Sequence, residues 1–412
     1  MFAGPGGWDV GLKILADGGP PFDAVGVEWN EDAAATARAA GFGRIVCDVR
    51  QLDPTHPALR YVEGLIVSAP CISWSPAGLR QGHTAKNLGL LLDMLPLAVE
   101  STFGHWHGDS DTECESAPCL ICTDPTWNGH SGWTGPLITR TDAREPISRM
   151  TDPGIGLVAE SALWAMSLDA SHGRLRWLVM EQSSALPDIV LDSIADALDM
   201  TDWCDSVHWQ LDAADLGLAS HRRRNYLVAH RHQYLRLVSP HPDEPVPARS
   251  AAQVLGWPAG VKVNTRGNRT TSGGNEWPAD NTAPALTGRS RSAYWASDPQ
   301  RRLTLEEVAL LVGMPTNHPW VGSRSSAFQQ AGDVVAPTEA ARVLAAVLRC
   351  PWQDPVRRYL AGLYSPRTRA AAARTSVTPG PRRGAIVSAT PALPGLELST
   401  ASSPPRATSR NR

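Results

Sequence analysis

Short apolar runs that stop abruptly at a polar or acidic residue recur through the first 230 positions. Ala24-Val25-Gly26-Val27 stops at Glu28-Trp29, and Arg44-Ile45-Val46-Cys47 stops at Asp48. Gly64-Leu65-Ile66-Val67 stops at Ser68-Ala69-Pro70-Cys71, and Arg176-Trp177-Leu178-Val179-Met180 stops at Glu181-Gln182. Runs of β-formers bounded by small or polar residues predict buried strands, with reactive side chains at their carboxyl ends. Helical periodicity fills the intervals near 10–16, 31–40, 156–170 and 187–200, and two more strands are predicted over 206–211 and 225–229. Strand and helix alternating at this spacing predict βαβ units and an α/β class with a doubly wound, mostly parallel sheet.

The alternation breaks in three places. After Cys71 it lapses for roughly eighty residues, several times longer than a connecting loop needs. From about 234 to 296 the chain is rich in Pro, Gly, Asn, Thr and Arg, which predicts a small, loop-dominated domain. Helices return over 303–312 and 338–348. Beyond Asp354 there are ten arginines against one acid, Glu397, which predicts a disordered basic tail. The expected division is a catalytic domain over 1–231 with an insertion at about 83–152, a small domain over 232–300, a returning part of the catalytic domain over 301–353, and the tail over 354–412.

Composition narrows the class only a little. The chain has 412 residues, 42% hydrophobic and 19% charged, with a net charge of −3. That balance gives no bulk signal for nucleic acid, so any basic surface must be local. There is no 18-residue apolar run and no signal-peptide pattern at the start. Seven unevenly spaced cysteines do not suggest a disulfide framework, and a cytoplasmic location is expected.

The chemistry-bearing residues sit at the predicted strand ends. Phe2-Ala3-Gly4-Pro5-Gly6-Gly7 is a glycine loop leading into a helix, but it is not a dinucleotide fingerprint, because the third glycine of G-x-G-x-x-G would fall on Asp9. Glu28 has the chemistry to take two ribose hydroxyls, Trp29 offers a face to a purine, and Asp48 can accept from an adenine amino group. A glycine loop followed by two strand-end acids suits an adenosyl cofactor without pyrophosphate. Cys71 is a thiol at a strand tip and hence a candidate nucleophile; taken alone, a lone cysteine is more often a small buried hydrophobe.

In this order the motifs resemble those of the DNA (cytosine-5) methyltransferases, over most of residues 2–349. The glycine loop resembles that family's cofactor loop. Glu28-Trp29 and Asp48-Val49 resemble its ribose- and adenine-contacting pairs, and Pro70-Cys71 with Ser75, Ala77 and Gly78 its nucleophile motif. Glu181 stands at the position of its catalytic glutamate. Arg222-Arg223-Arg224 before Tyr226 resembles its paired-arginine strand, and Gln330, Gly332 and Pro337 its last motif. The resemblance implies S-adenosyl-L-methionine as methyl donor, held by residues 2–7, Glu28, Trp29, Asp48, Val49, Pro70, Leu157 and Asp333. It also implies a flipped cytosine in double-stranded DNA as acceptor, with Cys71, Glu181, Arg222 and Arg224 as the catalytic residues. Cys71 would attack C6, Glu181 would hold or donate a proton at N3, and arginines near the thiol would help ionise it. A monomer is expected, while a cognate restriction endonuclease as partner is left open. A tRNA cytosine methyltransferase and a catalytically dead DNA-binding relative are the alternatives.

Several positions depart from the family pattern. Gln182 stands where asparagine is usual, Ser220 where a glutamine precedes the arginines, and Asp333 where asparagine is common. The family's first strand normally precedes the glycine loop, and here only Met1 does; an upstream start is the expectation. The insertion carries Cys114, Cys119 and Cys122 with His105, His107 and His130 nearby, a spacing that resembles a structural zinc knuckle beside the nucleophile loop.

Overall fold

The computed structural model describes residues 1–370 apart from 76–77, 105, 108–131, 134, 137, 202, 245, 266–275 and 369. The predicted alternation is present. α1 (Gly7–Ala16) precedes β1 (Val25–Glu28), α2 (Glu31–Ala39) and β2 (Gly43–Val46), and β3 (Gly64–Val67) leads through Cys71 to α3 (Ala85–Glu100). A two-residue ladder of β4 (Trp106–His107) and β5 (Gly132–Trp133) follows, then α4 (Arg140–Ala143), α5 (Glu160–His172) and β6 (Trp177–Ser183). α6 (Asp188–Asp199), β7 (Asp205–Asp212) and β8 (Arg223–His230) complete this stretch. The later chain forms α7 (Ala251–Leu255), β9 (Lys262–Asn264), β10 (Glu276–Pro278), β11 (Tyr294–Trp295) and β12 (Asp298–Arg302). It ends in α8 (Leu305–Leu311), α9 (Arg324–Asp333), α10 (Pro337–Leu348) and α11 (Gln353–Leu363). Among the described residues no helix is long and apolar enough to cross a membrane.

The main sheet comes in two pieces. β1 and β2 pair in parallel, and a four-stranded piece has the order β3-β6-β8-β7. β3 and β6 are parallel, while β8 runs against both β6 and β7. The seam between the pieces is bridged by the first three residues. The Met1 amino group donates to the Ile66 carbonyl at 2.5 Å, Ser68 N–H to the Met1 carbonyl at 3.3 Å, and Ala3 N–H to the Val27 carbonyl at 3.0 Å.

Period-two alternation buries both faces of the central strands. Val179, Tyr226 and Val228 pack with Trp8, Val10 and the α10 residues Ala340, Val343 and Leu344. Leu178, Met180, Leu227 and Ala229 face the α3, α5 and α6 side. A sheet covered on both faces is what puts the strand ends, rather than a face, at the surface.

Two expectations about the breaks need correction. The stretch after Cys71 is not wholly an insertion: α3 is a core helix, burying Leu90, Leu91, Met94, Leu95, Ala98 and Val99. Its 16 residues carry the chain about 24 Å along the helix axis. Cys114, Cys119, Cys122, His105 and His130 lie outside the described residues, and no group of metal-ligating side chains occurs among the described ones.

The segment 232–300 consists mostly of loops between short elements among its described residues. It holds an antiparallel sheet of order β10-β9-β11-β12 that runs on to Arg302. Its Val263, Trp277 and Leu286 belong to the same apolar cluster as α1 and α10, so it has no separate core. The chain beyond Asp354 is also more structured than its composition suggests. α11 buries Val356, Leu360 and Leu363, a helical i, i+4, i+7 face, and Tyr359 donates to the Gly313 carbonyl at 2.6 Å. Residues 371–412 lie outside the described residues.

Candidate active site

The carboxyl ends of β1, β2, β3 and β6 point to one edge of the molecule, and the predicted residues gather there in two groups. The first is the glycine loop. Gly6 has φ 116°, in the left-handed region that favours glycine, and a Cβ on Gly7 would sit 2.2 Å from the Val335 carbonyl oxygen. The loop can therefore turn sharply and lie directly on the chain entering α10. Glu28, buried at the end of β1, accepts from Gly4 N–H and from Asn30 N–H, each at 2.8 Å. Its carboxylate thus fixes the loop to the strand end. Trp29 beside it is 67% exposed, an indole face open to a planar ligand.

Asp48 caps the turn at Val49–Gln51 and is paired with Arg50, with Oδ2 2.6 Å from the guanidinium. Its hydrogen bonds to Arg50 hold its carboxyl below the usual range despite partial burial. His318 locks the loop from above. Its Nε2 lies 3.0 Å from the Pro5 carbonyl, and burial lowers its pKa to about 4. Neither Arg50 nor His318 was assigned a role from sequence.

The second group surrounds Cys71. Arg224 Nε lies 2.9 Å from Glu181 Oε1, both largely buried. Arg222 is buried and donates to the Gly332 carbonyl at 2.7 Å and the Asp333 carbonyl at 3.1 Å. Asp333 therefore meets the arginine through its backbone, while its carboxylate accepts from Gln329. Cys71 lies within electrostatic reach of Arg224, Glu181, Arg222 and Asp333. Arg224 and Arg222 do favour the thiolate, in the direction expected, but they do not set the net shift. Burial pushes the Cys71 pKa up and outweighs the opposing pull of Arg224, because desolvation of a thiolate costs more than one partly neutralised guanidinium returns. Glu181 is also not a strand-end residue; it lies inside β6, which runs on to Ser183, and pairs with Tyr226 on β8.

The departures from the family pattern turn out to be accommodated. Gln182, fully buried, donates to the Ala69 carbonyl at 3.1 Å and accepts from Ser183 N–H. The longer amide thus still ties the β3 end to β6, two residues before the thiol. Ser220 donates to the Leu311 carbonyl at 2.6 Å. Ser73 hydrogen-bonds Asp152, and Gly82 N–H donates to the Ser73 carbonyl at 3.0 Å, so the loop after Cys71 is pinched at its base. Leu157, expected at the cofactor, packs against the α3 and α5 side of the core.

Glu339 was not anticipated. It sits in the first turn of α10, fully buried, and accepts from the Tyr226 hydroxyl at 3.2 Å. Burial pushes its carboxyl well above the ordinary range, with Arg222 and Arg224 opposing. Two concavities of about 610 Å³ each lie elsewhere: one beside Arg342 and Trp352, the other between α1 and α11. Convergent polar groups, not cavity size, mark this site.

Comparison with known proteins agrees with the motifs. Residues 1–101 match the family model of the C-5 cytosine-specific DNA methylases, which bears out the resemblance over that segment. No curated protein matches. Among solved structures the chain is similar to the Entamoeba histolytica methyltransferase EhMeth, at 10% identity over 84% of this chain and 96% of that one, with a TM-score of 0.48. It is also similar to a putative DNA modification methyltransferase encoded within an E. coli prophage, at 13% identity over 85% and 97%, TM-score 0.47. A third is the S. pombe Dnmt2 methyltransferase, at 11% identity over 84% and 96%, TM-score 0.48. Methyltransferases of this family use S-adenosyl-L-methionine, and the donor set here fits it: a strand-end carboxylate on the glycine loop, an open indole face, and a second strand-end acid.

Proposed function

We propose that the protein methylates carbon 5 of cytosine in double-stranded DNA through a covalent adduct with Cys71. The observation that carries this reading is the convergence of Cys71 with a paired Glu181 and Arg224 at one end of the sheet. The family model, which describes DNA methylases, supports DNA as the acceptor. Bound S-adenosyl-L-methionine would supply an electrophilic methyl group; Glu28, Trp29 and Asp48 would hold it.

The chain's own residues account for activating the base. C5 is too weak a nucleophile until Cys71 sulfur bonds to C6 and the ring electrons move to C5. Glu181, aligned by Arg224, holds a proton at N3 and so accepts the charge that attack would otherwise leave on the ring. Once C5 has bonded the methyl group, loss of the C5 proton to solvent, departure of the Cys71 thiolate and return of the N3 proton to Glu181 restore the aromatic ring. Because the thiol is buried and protonated before the base arrives, its ionisation belongs to the bound complex, where the arginines face less water. A base inside the stack cannot reach Cys71, so extrusion is required, at a cost of roughly a few kcal/mol.

The test uses the full chain with methyl-labelled S-adenosyl-L-methionine, offered duplex DNA or tRNA. Label in DNA, together with a covalent complex on 5-fluorocytosine DNA that Cys71→Ala abolishes, supports the reading. Label in tRNA alone moves the acceptor to RNA. Undiminished trapping by Cys71→Ala would show that the nucleophile is misassigned.

A further inference from the structure

A group of arginines beside this site takes no part in the chemistry above. The turn Gly288–Ser292 carries Arg289 and Arg291, β12 ends in Arg302, and α9 begins at Arg324. All are exposed, and none of them forms an ion pair with a carboxylate among the described residues. Arg301, next in sequence to Arg302, is by contrast neutralised by Glu307.

Packing holds this group in place. A Cβ on Gly288 would come within 2.1 Å of Gln329 Oε1, and a Cβ on Gly332 within 2.4 Å of the Gly288 nitrogen. The turn therefore lies backbone to backbone along α9. A capping box between Thr287 and Ser290 fixes its conformation. At the far end of α9, Arg324 donates to the Arg291 carbonyl at 3.1 Å and lies 4.7 Å over the Phe328 ring. The near end of the same helix offers the Gly332 and Asp333 carbonyls to Arg222. The cations thus extend from the catalytic end of α9 to its start, 10 residues or about 15 Å away. Arg302 and Arg291 both disfavour the charge on Arg324, which burial also lowers. Clustered, exposed and unpaired guanidiniums oppose folding through mutual repulsion, and an anion relieves it.

We propose that Arg289, Arg291, Arg302 and Arg324 form a track that holds the phosphodiester backbone of the nucleic-acid strand leading into the Cys71 site. This deepens the proposed function and rests on it. One strand of a duplex presents a phosphate about every 3.4 Å of rise, so the track matches about four successive phosphates. Guanidinium–phosphate contacts position a strand without reading its sequence.

The experiment measures binding of the full chain to a labelled duplex and to tRNA across a salt series, for wild type, Arg291→Gln/Arg302→Gln and Arg324→Lys. The double variant should flatten the plot of log affinity against log salt by about 2, equally on unrelated sequences. Its affinity for S-adenosyl-L-methionine should be unchanged, which shows that the fold is intact. Arg324→Lys should keep the wild-type slope. A larger effect on tRNA than on DNA supports the track and identifies RNA as the strand it holds. Wild-type binding with an unaltered slope in the double variant overturns the track alone, as does a loss confined to one sequence. A wild-type chain that binds neither polymer overturns the track and the proposed function together.

Discussion

The two halves of the site are built by different means. The glycine-loop half is held by backbone: Glu28 grips the N–H groups of Gly4 and Asn30, Gly7 lies on the Val335 carbonyl, and His318 meets the Pro5 carbonyl. The Cys71 half is held by buried ionisable side chains, with Arg222, Arg224, Glu181 and Glu339 drawn from three elements. The first half is a preformed surface that, on the proposed reading, would receive a neutral adenosyl group. The second stores opposing charges whose balance shifts when a base and a thiolate appear. Shape dominates one half and charge the other.

The sharpest way to break this comparison is to remove charge without shape from the second half. Glu181→Gln should lower kcat by about 10²–10⁴-fold while leaving S-adenosyl-L-methionine affinity intact in calorimetry. Equal losses in both would mean that the halves are not separable. The complementary change, Glu28→Ala, should weaken S-adenosyl-L-methionine binding by about 1.5–3 kcal/mol, the range for a hydrogen bond to a charged group. Trapping of 5-fluorocytosine DNA at saturating donor should then persist.

A pH series probes the backbone-held half through His318. Its folded pKa of about 4 lies below the ordinary 6.5, so between those values the folded chain binds fewer protons than the unfolded one. Stability must therefore rise with pH across that window and fall on acidification. From pH 8 to pH 5 the share of His318 is about 2 kcal/mol, read from urea midpoints. His318→Gln should remove that share and leave a residual slope from His230, whose pKa is also lowered to about 4. Gln182→Ala should have the smallest effect, about 1 kcal/mol of stability with a modest loss in kcat, because it loosens the Ala69 carbonyl without removing a charge.

The same division explains what the sequence revealed. Glu28, Asp48 and Cys71 could be placed because each ends a short apolar run, so local pattern and chemistry coincide. Arg222 and Arg224 were singled out only through the resemblance of Arg222-Arg223-Arg224 before Tyr226 to the family's paired-arginine strand. Glu339 was invisible, since an acid in Pro337-Thr338-Glu339 reads as an ordinary exposed first-turn carboxylate; only the approach of α10 to β8 buries it. α3 went unread because it falls inside a stretch whose length broke the strand–helix rhythm. α11 was hidden by averaging: the arginines on either side of Val356, Leu360 and Leu363 masked an amphipathic face. Gln182 departs from the family's usual asparagine, yet its longer amide still reaches the Ala69 carbonyl.

The clasp of Gly288 on Gly332 constrains how this protein can change over time. A descendant acquiring a new target can rebuild β9 to β12 at their outer edge with little effect on the chemistry. It cannot place a side chain at Gly332 without moving backbone at the carbonyl that supports Arg222, and one at Gly288 must displace the Gln329 side chain. Drift in target preference is therefore channelled away from this joint, and the two glycines mark where inheritance of the reaction limits invention in recognition.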